Sequence, residues 1–157
     1  MNNEKRLEPD TVLDAATINN FFRRNDNFAD HLDVVITEVS PEHAVATMPL
    51  KSLHRNGMRN AHGGAIFTLA DMAFGAAAIM TGTVFVSATS SINYLAAGRV
   101  GPLRAEARKV RCGKTLGVYD IRITDADGTL VAICTMTGSN TRMTLAEADA
   151  KCAEFGK

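Results

Sequence analysis

Two features between residues 56 and 80 carry groups able to do chemistry. His62-Gly63-Gly64 stands directly before a run, Ala65 to Met80, in which every residue is apolar or small except Thr68 and Asp71. A run of this kind, free of Pro and with one interior Gly, predicts a buried helix of about four turns. The start of a helix presents backbone N–H groups without intrahelical partners at the positive end of the macrodipole, where anions and developing oxyanions are stabilised. Asp71 is the one ionisable group on the helix. Desolvating a carboxylate there is costly unless a substrate, a water or a donor meets it, which makes Asp71 a candidate base or nucleophile.

The spacing adds a constraint. Seven residues separate Gly64 from Asp71, about 700° of helical rotation, so both lie on nearly the same face but about 10 Å apart along the axis. Attack on a carbonyl needs the base or nucleophile and the oxyanion donors each about 3 Å from the reacting group. One helix therefore cannot supply both. Two antiparallel copies related by a twofold axis can, with Asp71 of one facing the Gly63 amide of the other, which predicts a homodimer with two composite sites.

Around this helix the chain reads as a positioning frame. Asp10 is placed to cap a helix running to Arg24, with Leu13, Ile18, Phe21 and Phe22 on its apolar side. A short irregular or helical piece spans 27–32, strands follow at 34–39 and 44–48, and a polar loop from Lys51 to Asn60 delivers the chain to His62. Beyond the helix, 84–95 reads as a strand containing Ser87, Thr89 and Asn93. Leu103, Ala105 and Ala107 alternate with Arg104, Glu106 and Arg108 before Val110 and Cys112 reverse the phase, which predicts a bulge near Arg108. Strands at 116–124 and 130–137 flank the turn Asp125-Ala126-Asp127-Gly128, and Thr144-x-x-Glu147 is a capping box opening a helical extension over about 144–155. Residues 1–9 read as a frayed terminus. The order predicts one α+β domain over 1–157, with its core at about 28–142: an antiparallel sheet curled around one apolar helix.

Composition narrows the function. The 157 residues hold 17 Lys plus Arg against 17 Asp plus Glu, a balance that gives no pull toward nucleic acid or membrane. Three cysteines without C-x-x-C spacing argue against a disulfide framework or zinc site and predict a reducing, cytoplasmic setting, as does the lack of an apolar leader. Neither Asp125-x-Asp127-Gly128 nor the set His54, His62 and Asp71 matches a metal-ligand spacing, so no metal or organic cofactor is expected. Neither G-x-S-x-G nor a P-loop is present.

HGGAIFTLADMAFG, with Asn56 six residues before His62, and the later segments VSATSSINYLAAG and GKTLGVYDI together resemble the hotdog-fold acyl-CoA thioesterases of the phenylacetic-acid-degradation type over about residues 28–142. The resemblance implies a five- or six-stranded hotdog sheet, dimers joined edge to edge, and homotetramers made of two dimers. It implies that Asp71 is the catalytic carboxylate, as nucleophile or general base, and that the Gly63 N–H is the oxyanion donor. It further implies that Asn56 and His62 orient the thioester carbonyl or water and that Ser87 supplies a helping hydroxyl. The chain departs from relatives in having Ala96-Ala97 where Arg-Pro is common. Between residues 99 and 114, Arg99, Arg104, Arg108, Lys109, Arg111 and Lys114 face only Glu106 in sequence, a positive field suited to coenzyme A phosphates, for which Arg108, Arg111 and Lys114 are the candidates. A thioester is electrophilic enough for a carboxylate and an oxyanion hole to suffice. The competing expectations are an acyl-CoA-binding module without catalysis and a hotdog enoyl-CoA hydratase or dehydratase.

Overall fold

The computed structural model describes residues 6–154. Its elements are α1 (Ala15–Asn25), α2 (Asn27–His31), β1 (Val35–Val39), β2 (His43–Met48), a 3-10 turn (Ser52–His54), α3 (Gly63–Ile79), β3 (Phe85–Tyr94), β4 (Leu103–Cys112), β5 (Leu116–Thr124), β6 (Leu130–Asn140) and α4 (Leu145–Glu154). The strands form one six-stranded antiparallel sheet in the order β1-β2-β4-β5-β6-β3, wrapped around α3 as the hotdog resemblance implies. No helix among the described residues is long and apolar enough to cross a membrane.

Side-chain size explains how the sheet closes on the helix. The buried residues of β2 and β4 include Ala44, Ala46, Ala105 and Ala107, and those of α3 include Ala70, Ala73 and Ala77, so backbones approach closely where α3 lies over these strands. Over β5 and β6 the filler is instead Phe74, whose ring meets Tyr119 edge-on at 5.3 Å. That ring occupies the space a Cβ on Gly138 would need. Glycine at 138 thus lets α3 settle against the part of the sheet that carries β3.

The remaining helices are fastened by polar contacts. Asn19 of α1 exchanges two hydrogen bonds with the Ile36 backbone, its amide donating at 2.7 Å and its carbonyl accepting at 2.8 Å. Asp149 of α4 is fully buried and accepts from Arg6, the Leu7 N–H, Arg24 and Asn25. Burial by itself would raise that carboxyl, but the Asn25 amide, the Leu7 N–H and the two guanidinium groups outweigh it and hold Asp149 below the usual carboxylate range.

Four boundaries differ from the sequence reading. Asp14, not Asp10, caps α1, accepting from the Thr17 N–H at 2.7 Å, because Thr11 is spent on a turn with Glu8. Arg6 and Leu7, within the stretch read as frayed, are anchored on Asp149, while residues 1–5 lie outside the described residues. The β4 register shifts between Lys109 and Arg111, two residues later than expected, and Lys109 reaches Glu42 at 2.7 Å. β6 continues to Asn140 because its last residues pair with Phe85 to Ser87 of β3. The Thr144–Glu147 capping box is present, and α4 is described as far as Glu154, leaving Phe155 outside.

Candidate active site

α3 starts at Gly63, and its N-cap is His62, whose Nδ1 accepts from the Gly64 N–H at 3.0 Å. The accepting role leaves Nε2 as the ring atom His62 can offer outward. Of the two glycine amides expected to be open, Gly64 is therefore spent on the cap. The Gly63 N–H meets no acceptor among the described residues. Its own carbonyl accepts from the Tyr94 hydroxyl at 3.0 Å, and a Cβ on Gly63 would stand 3.3 Å from that ring, so only a glycine lets Tyr94 lie this close without a shift.

Asp71 lies two turns further along α3 and is half-buried. Ser87 of β3 donates to its Oδ1 at 2.5 Å, which fixes the carboxylate plane and leaves Oδ2 without a partner among the described residues. Ser87 and Tyr94 are seven residues apart on one strand, a spacing that would ordinarily put them on opposite faces. A bulge between Ser87 and Thr89 reverses the phase, so both point at α3. β3 thus grips the helix at its N-terminal end and at its carboxylate. Within one chain, the eight residues from Gly63 to Asp71 hold those two groups about 12 Å apart.

Asn56 sits in the loop before α3, where its Oδ1 accepts from the Met58 and Asn60 N–H groups at 2.9 and 3.2 Å. The loop uses the carbonyl, and the amide nitrogen is what remains to offer a ligand. His54 is fully buried with both ring nitrogens engaged, Nδ1 by the Lys51 N–H and Nε2 by the Leu32 carbonyl, so it cannot join His62 and Asp71 around a metal. Cys134 is buried near Asp71, and burial first, then the charges of Asp71 and Asp120, push its thiol up to about 11. It stays protonated and is no nucleophile.

The basic candidates separate. Arg108 is ion-paired with Glu106, which Arg104 also holds at 2.8 Å. Arg111 is exposed near the end of β4, and Lys114 is exposed in the turn to β5. Cys112, Gly117, Gly138 and Ser87 form one row across β4, β5, β6 and β3, so this turn lies at the same end of the sheet as Ser87, three strand spacings or about 14 Å away.

The fold has counterparts of known kind. Residues 58–132 match the Thioesterase superfamily family model. The Escherichia coli acyl-coenzyme A thioesterase PaaI is 36% identical over 110 residues, covering 69% of this chain and 79% of that protein. The chain belongs to the thioesterase superfamily. The solved E. coli PaaI structure superimposes with a TM-score of 0.76 at 31% identity, covering 85% of this chain and 99% of that one. A hypothetical thioesterase from Streptococcus pneumoniae, solved with coenzyme A, gives 0.65 at 36% identity over 69% of this chain and 85% of that one. The fold is the hotdog fold of a thioester hydrolase of the PaaI type.

For a thioesterase, the sequence reading missed Tyr94. Its hydroxyl fixes the first peptide of α3, yet a Tyr seven residues from Ser87 gives no sign of facing the same way until the bulge is seen. Gly138 was also missed. Only the three-dimensional position of Phe74 shows why that glycine matters to Asp71, which lies one turn earlier on the same helix.

Proposed function

We propose that the protein hydrolyses acyl-CoA to free acid and coenzyme A, and that it does so at two sites shared across a homodimer. The observation that carries the reading is the pair of grips on β3, Ser87 to Asp71 and Tyr94 to Gly63. β3 is an edge strand of ten residues, FVSATSSINY, with no charge and no Pro, and nearly all of it is exposed. An edge so unguarded is suited to pairing with another copy. Antiparallel pairing centred on Ser91, with the extra residue of the bulge counted out, sets Ser87 opposite Tyr94 of the partner subunit. The same operation carries Asp71 toward Gly63 of the partner subunit, closing the gap that one chain cannot close.

In that arrangement the Gly63 N–H donates to the thioester oxygen and stabilises the charge that develops there. Asp71 Oδ2 either attacks the carbonyl carbon, giving an acyl-carboxylate anhydride that water then opens, or takes a proton from the water that attacks. Both routes break the carbon–sulfur bond and release coenzyme A as the thiol. Ser87 holds the carboxylate, His62 and Asn56 line the approach, and Arg111 and Lys114, with Arg108 beside Glu106, offer positive charge to the phosphates of coenzyme A. Coenzyme A bound to the Streptococcus relative supports that ligand class. Two such dimers pair as a homotetramer, and three free thiols suit the cytoplasm.

Thiol release from short, medium, long and arylacetyl-CoA, compared between wild type and Asp71→Ala, tests this. Loss of about 10²–10⁴-fold in the variant is expected. Tight binding without release in the wild type would instead establish a non-catalytic acyl-CoA module, and loss of the conjugated double bond of an enoyl-CoA would establish a hydratase.

A further inference from the structure

We infer that Phe22 of α1 is the end-stop of the acyl site, setting how long an acyl chain the enzyme accepts. Gly64, Thr68, Asp71 and Gly75 recur on α3 at spacings of three or four residues, making one stripe. Gly75 lies four residues beyond Asp71, about 40° round and about 6 Å along the axis. The tip of the Phe22 ring lies 3.5 Å from the position of a Cβ on Gly75. Phe22 therefore closes the stripe one turn past the carboxylate. Behind it is a cleft of about 180 Å³ that Phe22 also lines, together with Met72, Val34 and Val35. Met72 is the residue after Asp71, about 100° round the helix. The Phe22 ring thus stands as a partition between the stripe carrying Asp71 and the cleft beside Met72.

The partition is held firmly. Phe21, adjacent to it, is buried in the core, Asn19 is bonded at both amide atoms to Ile36, and Arg24 and Asn25 reach the buried Asp149. Of the four polar residues that line the cleft, Asn19 is engaged by Ile36 and Asp33 by Lys51, while Arg23 and Asp30 border it as well. An acyl chain leaving the carbonyl at Asp71 along α3 meets the Phe22 ring after about one helical turn. Removing the ring joins the stripe to the cleft and lengthens the space available.

This inference rests on the hydrolase reading, and the test separates the two. kcat/KM for thiol release is measured with butyryl-CoA and decanoyl-CoA for wild type, Phe22→Ala, Phe22→Leu and Phe22→Trp, with thermal melting as the check on folding. The decanoyl-to-butyryl ratio is expected to rise about 10-fold or more in Phe22→Ala, to rise less in Phe22→Leu and to fall in Phe22→Trp, since a change of one methylene in an apolar pocket is worth about 10–200-fold. Should Phe22→Ala not fold, the Leu and Trp variants carry the same comparison with opposite signs. Release with an unchanged ratio in folded variants overturns the end-stop alone. No thiol release by wild type from either substrate overturns the hydrolase reading and the end-stop with it.

Discussion

The Ser87 hydroxyl donates to Asp71 Oδ1 at 2.5 Å, joining the edge strand β3 to the one carboxylate on α3. A charge-assisted bond of this kind is worth about 1.5–3 kcal/mol. Ser87→Ala removes the orienting donor and leaves the carboxylate in place. In the proposed mechanism the contact positions the Asp71 carboxylate and not the substrate, so kcat for thiol release should fall about 10- to 100-fold with KM nearly unchanged. Unchanged kcat would show that Asp71 needs no help from β3.

Gly138 gives a stability prediction. A methyl at this position meets the Phe74 ring and stands 3.2 Å from the Phe85 Cβ, so Gly138→Ala forces α3 away from β6. Overpacking in a close-packed interior costs about 1–3 kcal/mol. Chemical denaturation should read that loss, and turnover should fall with it because Asp71 rides on the same helix as Phe74. A melting curve identical to wild type would mean the sheet yields there at no cost.

Much of the fold was legible because it depends on local pattern. The apolar run after His62-Gly63-Gly64, the alternation in β4 and the Thr144–Glu147 box each encode their own element. What was not legible depended on partners far away in sequence. Asp10 reads as the cap until Asp14 is seen accepting from the Thr17 N–H and Thr11 turning back on Glu8. Arg108 looks like a free cation until β4 places Glu106 beside it. The Ser87 bulge is invisible in VSATSSINY because small polar residues alternate without contrast.

Asp149 predicts an acid-side effect. Its folded carboxyl lies below the unfolded value of about 3.9, so its contribution is present above that pH and is lost as pH falls through the folded value. Asp149→Ala breaks a buried ion pair and should cost about 3–5 kcal/mol at neutral pH, detaching α1 from α4. The difference between wild type and variant should shrink as the pH is lowered past the unfolded value. Equal urea midpoints at pH 7 would contradict this role.

His54 acts nearer neutrality. Burial lowers its pKa despite the bond to the Leu32 carbonyl, so the folded state holds it neutral. That contribution is complete above the unfolded value of about 6.5 and is lost as pH falls through the depressed folded value. Urea midpoints of wild type should therefore decline as pH falls below about 6.5, and His54→Asn should flatten that decline. The same slope in both proteins would assign the pH dependence elsewhere.

The proposed shared site is tested most directly by complementation. Gly63→Val crowds Tyr94 and disturbs the Gly63 amide, while Asp71→Ala removes the carboxylate. Each homodimer should be inactive. A purified heterodimer of the two would hold one site with both Asp71 and the Gly63 amide intact, and thiol release should return to about half of the wild-type rate per dimer. A heterodimer as inactive as either parent would place the carboxylate and the oxyanion donor in the same chain and contradict the composite site.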